Sequence, residues 1–299
     1  HGLIINKFRG DVEILRPGLT QLEELTGKPV IGVVPYGHFD IDDEDSLSER
    51  LDTKAAPALV NIAVVKLPRL SNFTDFSALS RVSGVRVAYA DKPAQLAGAD
   101  LIILPGTKST LADLRWLRES GMEAQILKAH AAGTPVFGIC GGYQIMGRKI
   151  TDPSGSECGG QVDGLGLLDC YTVFGADKRQ TQTSGRFNNV QGFFSCLSGS
   201  EFYGYEVHMG ITEDTQSELT TCGGSSNGSA VGCYVHGIFD SADVSGRLIN
   251  ALYKRKGLTY GGNSVDRRQH RQRQLDLIAD NARKNLDMEL IYRIIKEGV

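Results

Sequence analysis

One short segment constrains the fold of this chain more than any other: Pro135-Val136-Phe137-Gly138-Ile139-Cys140-Gly141-Gly142-Tyr143-Gln144. The apolar run Pro135–Ile139 stops at a cysteine, two glycines follow, and apolar periodicity resumes through Tyr143, Ile145, Met146 and Ile150. The pattern predicts a buried strand that turns sharply into a helix. Glycines at 138, 141 and 142 leave the turn free of bulky side chains. This is a nucleophile elbow written with sulfur in place of oxygen. It would hold the Cys140 sulfur at the carboxyl edge of a sheet, where ligands bind in α/β folds. The helix start beside it favours negative charge on the sulfur. The plain alternative is a small buried cysteine in a glycine-rich turn.

The surrounding pattern fits such a sheet. Ile62–Leu67, Val85–Tyr89 and Leu101–Leu104 are further apolar runs, and Thr110–Ala132 reads as helix. Strands alternating with helices predict an α/β domain with a doubly wound, mostly parallel sheet. From Gly155 to Tyr234 the chain turns glycine-rich. Short strands near Leu167–Phe174, Phe187–Gln191 and Tyr205–His208 read as hairpins laid onto the sheet, and residues 221–230 as a flexible loop. The tail, 266–296, reads as helix with Leu275, Ile278, Ala282, Leu286, Leu290 and Ile294 on one stripe. Its four arginines at 267–273 read as a solvated face.

Ahead of this domain, Leu3–Ile5 and Val30–Val34 read as strands around a helix opened by Pro17 and closed by Gly27, with a polar loop at Asn6–Asp11. One βαβ unit cannot bury both faces of a sheet, so this piece reads as the end of an α/β domain that begins before His1. Residues 40–52 carry seven acids against one base and read as a solvated linker. The expected regions are 1–55, 56–260 and 261–299.

Composition excludes other classes. With 32 Lys and Arg against 35 Asp and Glu in 299 residues, net charge −3, nothing points to nucleic acid as the main partner. Six scattered cysteines do not make a disulfide scaffold, so a reducing cytoplasm is expected. No apolar run reaches the ~20 residues of a membrane helix, and the pattern assigns no metal site.

A thiolate nucleophile needs an imidazole to move protons. Of six histidines, His236, in Tyr234-Val235-His236-Gly237 at a strand end, is the favoured base, and His208, in Gly204-Tyr205-Glu206-Val207-His208, is the competitor. Leu104-Pro105-Gly106-Thr107-Lys108-Ser109-Thr110 follows a strand and opens a helix. Its backbone N–H groups, with that of Gly141, could face a developing oxyanion. A mere helix start with a Ser/Thr cap is the alternative.

These residues resemble a known family. Gly138–Gln144 with Leu104-Pro105-Gly106 is similar to the class I glutamine amidotransferases, of flavodoxin-like fold. Ile5–Asp11, Leu67–Phe76 (with Ser71-Asn72-Phe73-Thr74-Asp75-Phe76), Gly164–Leu168 and Gly204–His208 extend the resemblance to the cobyric acid synthases, nearly end to end. The resemblance implies Cys140 as the nucleophile forming a glutamyl thioester, His236 as base, and Gly106 and Gly141 as oxyanion donors. It implies Gln144 as a residue holding L-glutamine. It also implies a preceding dethiobiotin-synthetase-like domain that takes ATP, magnesium and the corrinoid, with Asn6 and Pro35 as the remnant of its adenine pocket. The glutaminase domain itself would need no cofactor. Many such enzymes carry a Glu two residues after the His; here that position is Ile238. Glu206, or a backbone carbonyl, is the expected orienter of His236. Within the same chemistry, the alternatives are a cobyrinic acid a,c-diamide synthase or a glutaminase serving cell-wall amidation. Outside it, the alternative is a non-catalytic or redox-sensing module on the same fold.

Overall fold

A computed structural model describes residues 1–40, 58–214, 217–262, 264 and 266–297. Beyond Asp40, the acidic stretch read as a linker lies outside the described residues. The chain forms two compact units, one of Asp43–Arg267 and one that joins His1–Asp42 to Arg268–Val299.

The smaller unit begins with β1 (Leu3–Phe8), α1 (Val12–Thr26) and β2 (Val30–Pro35), and the two strands pair in parallel. Helix α1 starts five residues before Pro17 because Asp11 caps it, its side chain accepting from the Glu13 N–H at 2.9 Å. Gly27, at φ 64°, closes the helix as expected.

The larger unit is a three-layer α/β domain. In chain order it contains β3 (Val60–Val65), α2 (Ser77–Ser80), β4 (Val85–Ala90), β5 (Leu101–Leu104), α3 (Thr110–Glu119) and α4 (Met122–Ala131). Next come β6 (Val136–Ile139), α5 (Gly141–Met146), β7 (Lys149–Asp152), β8 (Gly160–Asp163), β9 (Cys170–Arg186) and β10 (Glu201–Asp214). The strands β11 (Ser217–Thr220), β12 (Gly223–Ser226) and β13 (Ala230–Cys233), with α6 (Ala242–Arg255), complete it. The long helical stretch expected at 110–132 is two helices, parted at Gly121, whose φ of 75° breaks the first.

The main sheet runs β11-β12-β13-β6-β5-β3-β4. Its five strands from β13 to β4 are parallel, with β3 between β4 and β5. Read in chain order those strands lie 2-1-3-4-5, the flavodoxin-like arrangement. Alternation along each strand splits the core in two. Ile62, Val64, Leu101, Ile103, Phe137 and Ile139 face α6 residues such as Leu248 and Leu252. Ala63, Val65, Ile102, Leu104 and Val136 face Leu114, Leu117 and Ile126 of α3 and α4.

The segment expected to be a flexible loop at 221–230 instead supplies β12, antiparallel to β13. Its glycine and serine composition concealed a buried contact, because Ser225 is fully buried and its hydroxyl lies 2.6 Å from the Tyr143 hydroxyl. A second sheet, β10-β9-β7-β8, holds the long β9–β10 hairpin. Phe187–Gln191 is not one of its strands; Phe187 makes an isolated bridge to Thr220.

The helical tail is α7 (Arg267–Asn285) and α8 (Met288–Glu297). It is not a separate region: from Arg268 on it belongs to the same compact unit as β1 and β2. The Asp287 N–H donates to the Ile31 carbonyl at 2.8 Å where the two helices part.

Candidate active site

Four neighbouring parallel strands, β3, β5, β6 and β13, send their carboxyl-end loops to one place. The loop after β6 is the elbow. Cys140 has φ 50° and ψ −112°, a region that an L-residue occupies only under constraint. The constraint is packing against the neighbouring strand. A Cβ on Gly142 would lie 2.0 Å from the Leu104 carbonyl oxygen, so only glycine lets α5 sit this close to the end of β5. The Cys140 sulfur is buried and lies 3.5 Å from the Val207 carbonyl on β10.

The loop after β13 brings His236. Its ring is buried, and the Cys140 side chain is among the groups near enough to favour its charged form. Its backbone is clamped to β10: the His236 N–H donates to the Tyr205 carbonyl at 2.8 Å, and the Tyr205 N–H returns a bond at 3.1 Å. The Tyr205 ring stacks on the imidazole at 5.3 Å between centroids. The loop after β5 brings Gly106 against the same ring, where a Cβ would lie 2.7 Å from His236 Cε1.

The loop after β3 brings the residue that sequence reasoning missed. Asp75 lies in a short 3-10 helix, Phe73–Phe76, and is 1% exposed. Its Oδ2 is 2.7 Å from His236 Nδ1, and its Oδ1 accepts from the Gly237 N–H at 3.1 Å. Nδ1 therefore carries a proton and Nε2 is left to face the sulfur. Asn72 introduces this turn with φ 56° and donates to the Tyr205 hydroxyl at 2.9 Å. The Ser71 N–H donates to the Gly106 carbonyl at 2.9 Å, tying this loop to the one after β5. The only sequence trace of Asp75 was its place in the Ser71–Phe76 phrase.

Burial works against a charged His236, but the Asp75 charge and hydrogen bond, joined by those of Cys140, outweigh it and push the ring up to about 10. A cysteine beside an imidazolium held by a buried carboxylate is an arrangement for nucleophilic attack on an acyl carbon.

The other expected residues fall as follows. Gly141 opens α5 next to Cys140, against Thr107 from the loop after β5. Gln144 braces that helix: its Oε1 accepts from the Thr110 hydroxyl at 2.9 Å, and its Nε2 donates to the Met209 carbonyl at 2.9 Å and the Tyr234 hydroxyl at 3.2 Å. Glu206 does not touch His236. It pairs with Arg179 at 3.1 Å and lies 3.5 Å from His208 Nε2. Asp75, and not Glu206, holds the His236 ring. His208 stacks on Tyr234 with centroids 3.6 Å apart. In the smaller unit, Asn6 lies in β1 and Pro35 ends β2, near the carboxyl ends of two parallel strands. Among the described residues, no group of three or more His, Cys, Asp or Glu side chains is placed to hold a metal ion.

Residues 61–244 match the CobB/CobQ-like glutamine amidotransferase domain. A cobyric acid synthase of Ruminiclostridium cellulolyticum is 47% identical over 313 residues, covering 100% of this chain and 61% of its own. Those of Lachnoclostridium phytofermentans and Photorhabdus laumondii are 46% and 45% identical, with 63% and 61% of their lengths covered. The chain thus spans about three-fifths of these relatives. It belongs to the CobB/CobQ-like glutamine amidotransferase family.

Proposed function

We propose that this chain hydrolyses L-glutamine at Cys140 and passes the ammonia to ATP-dependent amidation of a corrinoid carboxylate. The observation that carries the first half is the buried line Asp75–His236–Cys140. The Cys140 thiolate attacks the carboxamide carbon, and the N–H groups of Gly106 and Gly141 receive the oxyanion. Protonated His236 gives its proton to the departing nitrogen, which leaves as ammonia, and a glutamyl thioester remains. Acylation removes the sulfur's charge and hydrogen bond, two of the influences that raise the His236 pKa. The neutral imidazole then takes a proton from water as that water attacks the thioester, and glutamate leaves.

The second half rests on the named relatives, all cobyric acid synthases. In that reading the ammonia amidates the b, d, e and g carboxylates of adenosylcobyrinic acid a,c-diamide to give cobyric acid. ATP, magnesium and the corrinoid are taken by the part of such proteins outside the present span, with Asn6 and Pro35 as its edge. A cytoplasmic setting fits six cysteines that all remain free thiols, and among the described residues no helix is long and apolar enough to cross a membrane.

The experiment is glutamate release from glutamine, with covalent labelling by 6-diazo-5-oxo-norleucine located by peptide mass spectrometry. Label on Cys140, lost together with glutamate release in Cys140→Ser, is the expected result. Release that survives this substitution overturns the glutaminase reading. Supplying the N-terminal portion of a relative with ATP, magnesium and the diamide tests the corrinoid half by the mass of the amidated product.

A further inference from the structure

One fully buried carboxylate beside the site takes no part in the proposed hydrolysis. Asp113 lies in the first turn of α3, and its side chain is 0% exposed. An acid near a helix start can complement the helix from the solvent side. Asp113 instead points inward, and among the described residues the donors to its oxygens lie outside α3. Its Oδ2 accepts from the Thr107 hydroxyl at 2.5 Å and from the Arg69 N–H at 3.2 Å, and its Oδ1 lies 3.4 Å from an Arg69 guanidinium nitrogen. A buried carboxylate is a poor device for stability alone, because an apolar side chain of similar volume packs without the cost of desolvation.

The donors belong to two of the loops that meet at His236. Thr107 follows Gly106 in the loop after β5, and Arg69 lies with Asp75 in the loop after β3. Around the bridge between Leu70 and Thr107, the Ser71 N–H donates to the Gly106 carbonyl and the Lys108 N–H to the Arg69 carbonyl, each at 2.9 Å. The Thr107 hydroxyl has one hydrogen, which the 2.5 Å contact with Asp113 takes, and its oxygen accepts from the Ser109 N–H at 3.1 Å. Held in this way, the Thr107 methyl faces the elbow. A Cβ on Gly141 would lie 2.6 Å from Thr107 Cγ2 and 3.2 Å from the Thr107 nitrogen. The side chain that Asp113 fixes is therefore the one that spaces the loop after β5 from Gly141.

We propose that Asp113 is a positioning residue, which through the Thr107 hydroxyl sets the distance between the Gly106 and Gly141 N–H groups that receive the oxyanion. This role rests on the glutaminase reading above. Asp113 acts through Thr107 and not on the substrate. Its effect belongs to the transition state, where charge develops on the oxygen, and not to the binding of an uncharged carboxamide.

The test is steady-state glutamate release by Asp113→Asn, Thr107→Val and the double variant, with folding checked by near-ultraviolet circular dichroism. Each single substitution should lower kcat about tenfold to a hundredfold and leave KM within a factor of about two. The double variant should lose little more than the worse single one, since both changes break one unit. Alkylation of Cys140 by iodoacetamide, located by peptide mass spectrometry, displaces iodide and forms no oxyanion. Its rate should stay within a factor of about two of wild type, whereas a general loosening of the elbow would move it together with kcat. If Asp113→Asn does not fold, Thr107→Val carries the test. Single variants with wild-type kcat, a loss confined to KM, losses that multiply in the double variant, or alkylation that slows in step with kcat overturn the positioning role alone. A wild type that releases no glutamate overturns the glutaminase reading and this role with it.

Discussion

The Asp75 carboxylate lies 2.7 Å from His236 Nδ1, although 161 positions separate the two residues in the chain. The position two residues after the histidine is Ile238, fully buried in the core. The orienting acid comes instead from the loop after β3, a strand separated from β13 by β6 and β5. It does three things at once: it fixes the imidazole tautomer, favours the imidazolium, and caps the backbone turn at Gly237.

Asp75→Asn should therefore leave the fold intact and slow the chemical step. An amide can hold the ring in the wrong tautomer and cannot stabilise its charge. We expect kcat for glutamine hydrolysis to fall roughly a hundredfold to ten-thousandfold with KM little changed. Steady-state kinetics of glutamate release measure both. A kcat within a factor of about two of wild type removes Asp75 from the mechanism.

The same pair makes stability depend on pH. The folded His236 is raised to about 10 from an ordinary 6.5. Its contribution is fully present below about 6.5 and is lost as pH rises from there through about 10. Denaturant midpoints of the wild type should fall across that window. In Asp75→Asn the fall should be shallower, because the largest favourable influence on the charged ring is gone. Parallel pH profiles for the two proteins contradict the assignment.

Gly142→Ala tests the elbow. The added methyl would meet the Leu104 carbonyl oxygen at 2.0 Å, a contact that only backbone movement relieves. A destabilisation of about 1–3 kcal/mol is expected, with slower labelling of Cys140 by the diazo-ketone, since α5 can no longer seat against β5. Urea unfolding and labelling rates give the two numbers.

Gly32→Ala tests how the tail is held in the smaller unit. A Cβ there would lie 2.1 Å from the Asn285 carbonyl oxygen, beside the bridge between Gly32 and Leu286. Hydrogen exchange should speed up in α7 and α8 while the elbow strands of the larger unit keep their protection. Unchanged exchange in the tail means that the close approach is not what seats it.

Much of the site was legible because its signals are local. The elbow is a strand, a cysteine and glycines within ten residues. Gly106 and His236 could be found because each ends a parallel strand, and strand ends of one sheet converge by topology. Gln144 was read for a ligand because of its motif position, whereas its amide is engaged by Thr110, Met209 and Tyr234, which lie on other elements.

The sequence by itself determined the alternating architecture and the strained turn at Cys140, because period, glycine placement and strand–helix order act over a few residues. Only the tertiary structure decided which acid serves the histidine, that residues 223–226 are a sheet strand, and that the C-terminal helices join the first forty-two residues in one unit. Those outcomes depend on contacts between distant parts of the chain. There, burial and backbone pairing override local composition, and a hydrogen bond carries no trace in the spacing of its partners.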